Sequence, residues 1–227
     1  MSNLKRIINT SASPSLRLPS SQAKGALKGL FSLPPTVTLI FMGVIAAVFV
    51  LDYLVFVPAG VQRFGFDHLV MGKDAGVITE WLCLRTSAVL GGQVWRVVTS
   101  ALLHGGLIHL LGNCVHLWIA GGLVEREIGG GRFALVLAAG AVFANLCVMR
   151  IFQLERGFGA STAIYGAMGM LAALWFARRG HMRAASTRPQ LIILLLFVLS
   201  NAAADPFTLV EHGGGFIMGI GLALVFT

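Results

Sequence analysis

The chain has 227 residues, of which 56% are hydrophobic and only 11% are charged. Soluble domains carry about 25% charged residues, so this composition excludes an ordinary soluble domain and indicates an integral membrane protein. The formal net charge of +8 does not indicate a nucleic-acid partner, because the basic residues are spread over several loops and no RNA- or DNA-binding motif is present. Contact with anionic membrane lipid and the bias of basic residues toward inner loops account for the charge.

The chain begins with a basic, Ser-rich tail at residues 1–35, which has no acidic residue and no early apolar segment. A secretory signal needs such a segment, so we expect a cytosolic tail, with a mitochondrial presequence as the alternative. Six apolar segments follow, and all but the short fifth one are near the roughly 20 residues that a helix needs to cross a bilayer. They are residues 36–57, 102–124, 133–152, 160–177, 190–204 and 207–227, and an outer loop at 59–100 separates the first two.

These segments predict an all-α membrane protein whose six transmembrane helices form one domain over residues 36–227. Most Lys and Arg residues fall in the tail and in the segments after the second and fourth spans. Because inner loops carry an excess of basic residues, we predict that both termini lie inside. A bacterial inner membrane is the expected location, and a mitochondrial inner membrane is the alternative.

This topology places three polar positions in the outer leaflet at a similar depth. His109 lies in the first half of the second span, Ser161 at the start of the fourth and His212 near the start of the sixth. All three spans run from outside to inside, so at about 1.5 Å per residue their depths agree to within roughly 10 Å. Polar side chains inside a membrane are costly and mark functional sites.

Ser161 is the candidate nucleophile, and His212 is the candidate general base. Ser161 follows Gly159 at the expected start of a helix, where unpaired backbone N–H groups suit a developing oxyanion. A neutral imidazole takes the serine proton and passes it to the leaving amine. Gly215 and Gly219 form a small-xxx-small pair that lets another helix pack closely and bring the two side chains together. The alternatives are a helix N-cap for Ser161 and an interfacial residue for His212.

His109 and Asn113 lie four residues apart on one helix face, and with the backbone N–H of Ser161 they would form an oxyanion hole. A metal site built from His104, His109 and His116 is the alternative. We predict no metal, because the chain lacks an HExxH motif and the span holds no acid. His104 is expected to hydrogen-bond the outer loop, and His116 is expected to pack between helices.

Tyr165 follows Ser161 by one helical turn, so its ring is placed to hold the imidazole of His212. The alternative is an ordinary packed aromatic residue. The acids near the imidazole are Asp205 and Glu211, and neither clearly orients it. We therefore expect a Ser–His dyad and not a triad, with no cofactor.

Four segments, taken together and in this order, resemble the rhomboid family of intramembrane serine proteases. WRVVTSALLHGGLIHLLGN resembles the end of the family's Trp-Arg loop and its HxxxN helix, and GGLVEREIG resembles the segment that closes that helix. GASTAIYGAMG resembles the GxSG nucleophile segment, and EHGGGFIMGIG resembles the last helix, where His precedes GxxxG. The resemblance covers about residues 36–227.

The resemblance implies a six-helix rhomboid-like bundle that cleaves transmembrane protein substrates near the outer membrane face. It implies that Arg96 holds the outer loop and that Glu125 holds the inner end of the second span. The other implied roles are nucleophile for Ser161, base for His212, oxyanion support for His109 and Asn113, and stacking on the imidazole for Tyr165.

One position departs from the family pattern, because Thr162 stands where GxSG has its second glycine. Its β-branched side chain is expected to crowd the contact between the fourth and sixth spans or to bond back to a helix carbonyl. It points about 100° away from Ser161 on a helix, so we expect reduced activity or altered substrate choice and not blockage. The competing functions are a client-binding protein without activity and a proton-coupled transporter that uses the intramembrane histidines.

Overall fold

The computed structural model describes residues 33–55, 76–153, 156–177, 188–200 and 205–226. Most of the predicted tail, the first part of the outer loop and the basic segment after the fourth span lie outside these ranges. The regular structure of the described residues is helical, apart from an antiparallel bridge between Leu84 and Gly157, and short turns and irregular segments join the helices.

The helices are α1 (Thr36–Val50), α2 (Val77–Leu82), α3 (Thr86–Leu90), α4 (Arg96–Thr99), α5 (Leu107–His116), α6 (Gly122–Ile128), α7 (Gly130–Phe152), α8 (Ser161–Ala177), α9 (Arg188–Ser200) and α10 (Pro206–Phe226). A π-helical turn extends α1 over Leu51–Val55, and another joins α5 to α6 over Leu117–Gly121. A 3-10 turn follows α4 at Ser100–Leu102. Helices α2, α3 and α4 therefore belong to the outer loop.

Several of these helical segments are long and apolar enough to cross a membrane. They are Thr36–Tyr53, Leu107–Ile128, Gly130–Phe152 and Pro206–Phe226. The apolar helices Ser161–Ala177 and Pro189–Leu199 are shorter. The prediction of an all-helical integral membrane protein is confirmed, while the six crossings and the orientation stay predictions.

The second span differs from its predicted range at both ends, since the helical segment covers Leu107–Ile128 and not 102–124. Gly105 and Gly106 precede it, and the backbone of Gly106 is extended. Glycine weakens a helix by about 1 kcal/mol relative to alanine, so the helix begins only after this pair. At the other end Gly129 adopts a φ of 82°, a conformation that favours glycine and ends the helix.

Helix α8 forms the centre of the bundle, where it packs against α7 and α10. Glycines let these backbones approach one another. A Cβ atom on Gly219 would collide with the backbone of Gly166, and one on Gly215 would collide with the carbonyl oxygen of Thr162. From α7, a Cβ atom on Gly140 would lie 3.1 Å from the Cα atom of Gly166. The close helix packing expected at Gly215 and Gly219 is therefore present.

Glu125 ties α6 to the start of α1. Its carboxylate accepts hydrogen bonds from the backbone N–H groups of Val37, at 2.9 Å, and Thr38, at 2.8 Å. It also accepts a bond from the Thr38 hydroxyl, at 2.7 Å. The first N–H groups of a helix lack intrahelical partners, and negative charge is favourable there. Glu125 thus caps α1 from another helix, which agrees with the structural role that the family resemblance implies.

Helix α9 packs against the π-helical turn between α5 and α6. The ring of His116 stacks on that of Phe197, with centroids 3.5 Å apart and planes inclined by 23°. The expectation that His116 packs between helices is confirmed.

Candidate active site

The outer loop fixes the backbone that leads to Ser161, the first residue of α8. Leu84 donates its N–H to the carbonyl oxygen of Gly157 at 2.8 Å and accepts a bond from the Gly157 N–H at 2.9 Å. Two residues later, the N–H of Gly159 donates to the carbonyl oxygen of Ser100 at 3.0 Å. The start of α8 is therefore held by two parts of the outer loop.

Arg96 holds this part of the outer loop together. Its Nη1 donates to the carbonyl oxygens of Glu80, at 3.0 Å, and Cys83, at 2.8 Å. Its Nε donates to Oε1 of Gln93 at 2.7 Å. The buried guanidinium thus joins α4 to the end of α2, directly before the Leu84 bridge. This contact supports the role in the outer loop that was expected for Arg96.

Asn145 of α7 anchors the same loop, although it was not predicted as a site residue. Its Nδ2 donates to the carbonyl oxygen of Val97 at 2.7 Å and to the hydroxyl of Ser100 at 2.9 Å. The residue is only 2% exposed. Buried amides are normally paired, and this one fixes the residue whose carbonyl oxygen holds Gly159. The available signal was an amide inside an apolar span, the same signal that identified Asn113.

Gly159 allows two candidate site residues to converge. Its φ is 147°, a conformation that side-chain-bearing residues rarely adopt. A Cβ atom there would lie 3.2 Å from Cε1 of His109, 3.3 Å from its Nε2 and 3.5 Å from Oγ of Ser161. The imidazole and the hydroxyl thus face the same backbone position, and a Cβ atom at residue 159 would press on the imidazole, which would have to shift by a few tenths of an ångström.

A cavity of about 330 Å³ collects all four residues that were predicted to carry the chemistry. Helix α5 contributes His109 and Asn113, α8 contributes Ser161, and α10 contributes His212. The other lining residues are Ile108, Gly112, Phe158, Phe197, Phe207, Thr208 and Glu211. The cavity therefore has a hydroxyl, two imidazoles and an amide on walls that are otherwise largely aromatic and apolar.

Tyr165 supports the imidazole of His212 by stacking. The ring centroids lie 4.1 Å apart and the planes are inclined by 9°. Both residues are buried, and Nδ1 of His212 has no hydrogen-bond partner among the described residues. The contact expected between these two rings is present, so ring packing restricts the plane of the imidazole.

The carboxylate of Asp205 is occupied at the start of α10. It accepts hydrogen bonds from the backbone N–H of Thr208, at 3.0 Å, and from the Thr208 hydroxyl, at 2.9 Å. These bonds lower the pKa of Asp205. The acid is therefore an N-cap of α10. This role agrees with the expectation that it does not orient the imidazole.

Asn113 has one amide N–H bonded and a second available. Its Nδ2 donates to the backbone carbonyl oxygen of His109, one turn earlier, at 2.9 Å. A side-chain amide nitrogen carries two hydrogens, so one remains for the cavity that this residue lines. The geometry is compatible with the donor role expected for Asn113.

His104 is 2% exposed, and neither of its ring nitrogens has a hydrogen-bond partner within the described chain. The bond expected from His104 to the outer loop is therefore not seen there. The ring instead meets that of His109 edge-on, with centroids 5.0 Å apart and planes at 61°. Burial, with a smaller contribution from His109, outweighs the opposing effect of the nearby Leu102 backbone and lowers the pKa of His104 to about 3, so its imidazole is neutral.

Thr162 does not line the cavity. It is buried, and its hydroxyl donates to the carbonyl oxygen of Gly159 at 3.4 Å. The acceptor lies just before α8 and not within a helix, so this bond differs from the expected bond to a helix carbonyl. The candidate catalytic residues lie on helices α5, α8 and α10. Among the residues that the structure describes, no three His, Cys, Asp or Glu side chains lie close enough together to form a metal site.

Comparison with known proteins gives consistent matches. Residues 91–227 match the family model of the rhomboid domain. Rhomboid protease GluP of Bacillus subtilis (strain 168) is 33% identical over 138 residues, which are 59% of this chain and 26% of that protein. RHOMBOID-like protein 5 of Arabidopsis thaliana is 29% identical over 165 residues, 70% of this chain and 52% of that protein. Rhomboid protease GlpG of Salmonella choleraesuis (strain SC-B67) is 29% identical over 152 residues, and the chain spans 54% of its length.

Proposed function

Because this chain belongs to the rhomboid family, we propose that it is an intramembrane serine endopeptidase that cleaves transmembrane proteins with a Ser161–His212 dyad. One observation carries the proposal: a single cavity is lined by Ser161, His212, His109 and Asn113, which come from three helices. Nucleophile, base and oxyanion donors must meet within hydrogen-bond reach of one substrate carbonyl, and a shared cavity is the first requirement.

In the proposed reaction, Oγ of Ser161 attacks the scissile carbonyl carbon while His212 takes the hydroxyl proton. The imidazole then gives this proton to the leaving amine, and an acyl-enzyme remains. Water attacks the ester carbonyl with His212 again as the base, which releases the second product and restores Ser161. The stack of Tyr165 on His212 fixes the imidazole plane, a task that a carboxylate performs in a triad.

The oxyanion that forms on the carbonyl oxygen needs hydrogen-bond donors. The second amide N–H of Asn113, a ring N–H of His109 and the backbone N–H of Ser161 are suited to this role. The Ser161 N–H lies in the first turn of α8, where N–H groups have no intrahelical partner. Loss of one such donor costs about 2.7–4 kcal/mol of transition-state stabilisation.

For the arrangement in the membrane we propose six crossings with both termini inside, in a bacterial inner membrane. The cavity would then lie below the outer surface, because α5, α8 and α10 would each run inward from it. A substrate helix would unwind near small or helix-weakening residues and enter between spans. The outer loop and the connection between α9 and α10 are the candidates for gating water and substrate.

The test is cleavage of a transmembrane substrate in proteoliposomes, combined with labelling by a fluorophosphonate probe. We expect the wild type to cleave and to be labelled, and Ser161→Ala to lose both while it stays folded. Cleavage by a folded Ser161→Ala variant would refute the assignment of the nucleophile.

The second candidate function is binding of membrane-protein clients without cleavage. The observation that favours it is Thr162, which occupies a glycine position of the family's nucleophile segment. If the wild type is neither labelled nor active on any substrate, but still co-purifies with membrane-protein clients, the binding function replaces the protease.

A further inference from the structure

Glu211 is a buried acid in the wall of the candidate active site. It is 7% exposed and lines the cavity beside Thr208 and His212. Its carboxyl group has no hydrogen bond or ion pair with another described residue. Ionisable groups inside a membrane domain are expensive, so an acid at this position needs an explanation.

Two other buried acids of this protein are stabilised by hydrogen bonds from neighbouring groups. Glu125 accepts three hydrogen bonds at the start of α1. Asp52 accepts bonds from the backbone N–H of Thr79, at 3.2 Å, and from its hydroxyl, at 2.5 Å. Glu211 differs because no described residue donates a hydrogen bond to its carboxyl group. A partner that enters the cavity from outside the protein would supply the missing interaction.

The adjacent His212 is not that partner. Side chains of successive helical residues diverge by about 100°, and Nδ1 of His212 has no hydrogen-bond partner in the described chain. The charge of the cavity points instead to a cation. No Lys or Arg lines its described part, where the titratable groups are Glu211, His109 and His212. The exposed carboxylate of Asp205, at the start of the same helix, adds negative charge nearby.

We propose that Glu211 forms a subsite for a Lys or Arg side chain of the substrate, beside the peptide bond that is cut. The inference rests on the proposed protease function and names a class of substrate for it. The apolar stem of such a side chain would lie against the phenyl rings of Phe207 and Phe197, which share the cavity wall. Its cationic end would then pair with the carboxylate, and the pair would offset the burial of both charges.

The experiment uses transmembrane substrates that differ at one residue near the cut, with Lys, Gln or Glu placed in turn at each flanking position. At one of these positions, the kcat/KM of the wild type for the Lys substrate should be about tenfold or more above its kcat/KM for the Gln substrate. The Glu substrate should have the lowest kcat/KM of the three. Glu211→Gln should bring the Lys and Gln substrates to similar values, and Glu211→Lys should favour the Glu substrate.

Asp205→Asn is the matched control, because it removes one negative charge from the same helix outside the cavity and keeps a capping residue. Because Asp205 is exposed and lies outside the cavity, its charge is screened, so this variant should keep most of the Lys preference that Glu211→Gln loses. Equal cleavage of all three substrates by the wild type at every position would overturn the subsite. The same holds if Glu211→Gln keeps the preference or slows every substrate equally. If even the Gln substrates are not cut and Ser161 is not labelled, the protease function itself fails, and the subsite fails with it.

Discussion

The ring of Tyr165 lies nearly parallel to that of His212, with centroids 4.1 Å apart and planes inclined by 9°. Such a stack is stabilising by about 0.5–1.5 kcal/mol and fixes the plane of the imidazole without a hydrogen bond. Within the described chain, no carboxylate contacts Nδ1 of His212. Ring packing is therefore the observed restraint on the candidate base.

The stack predicts a difference between two substitutions of Tyr165. Tyr165→Phe keeps the ring and should keep kcat within about twofold of the wild type, whereas Tyr165→Ala should lower kcat by about tenfold as the imidazole gains freedom. Single-turnover cleavage in proteoliposomes measures both. Equal losses in the two variants would show that the hydroxyl, and not the ring, is what matters.

Asn113 is expected to act on the transition state and not on the fold. Asn113→Ala removes the donor that faces the cavity and should lower kcat by about 10²–10³ with little change in KM. The melting temperature should fall only slightly, because the bond that is lost, to the His109 carbonyl oxygen, lies within one helix. A variant that is inactive because it is unfolded would not be labelled by the fluorophosphonate, whereas slow labelling is expected here.

The sequence predicts the candidate site better than it predicts the ends of the helices. Ser161, His212 and Asn113 are recognisable because polar groups inside apolar spans are energetically costly and therefore indicate a functional site. From the sequence, Glu211 is recognisable only as an acid beside His212, because its lack of described hydrogen-bond partners depends on how the neighbouring helices pack. Helix α5 begins at Leu107 because the glycine pair before it is unfavourable in a helix. A hydropathy pattern does not show this effect, so the predicted span begins too early.

Gly219 and Gly221 form a matched pair for testing the packing of α10. A Cβ atom at Gly219 would collide with the backbone of Gly166 in α8, whereas one at Gly221 meets no atom within 4 Å. Gly219→Ala should therefore lower the melting temperature strongly, with a loss of about 1–3 kcal/mol or more from overpacking. Gly221→Ala should be neutral or stabilising by up to about 1 kcal/mol. Thermal unfolding in detergent tests both, and equal stability of the variants would contradict the helix contact.

His104 predicts a pH dependence of stability. Its pKa is about 3 in the folded protein, against 6.5 for an ordinary histidine, because burial disfavours the charged ring. Between these values the unfolded chain binds a proton that the folded one does not, so stability falls as the pH drops from 6.5 towards 3. The slope from this residue is at most about 1.4 kcal/mol per pH unit. His104→Asn should flatten the profile in that window, and an identical profile in both proteins would show that the ring is not buried in its neutral form.

Thr162 allows the departure from the family's GxSG pattern to be tested in two parts. Its hydroxyl bonds to the carbonyl oxygen of Gly159, the residue on which His109 and Ser161 converge. Thr162→Val keeps the buried shape and removes that long bond, which should cost less than about 1 kcal/mol and loosen the segment before Ser161. Thr162→Gly removes the side chain and restores the family pattern, so the range of cleaved substrates should widen while stability falls. The measurement is the rate at which Ser161 is labelled in both variants and in the wild type. If the Val and Gly variants are labelled at the same rate, the effect of Thr162 comes from its hydroxyl bond and not from the bulk of its side chain.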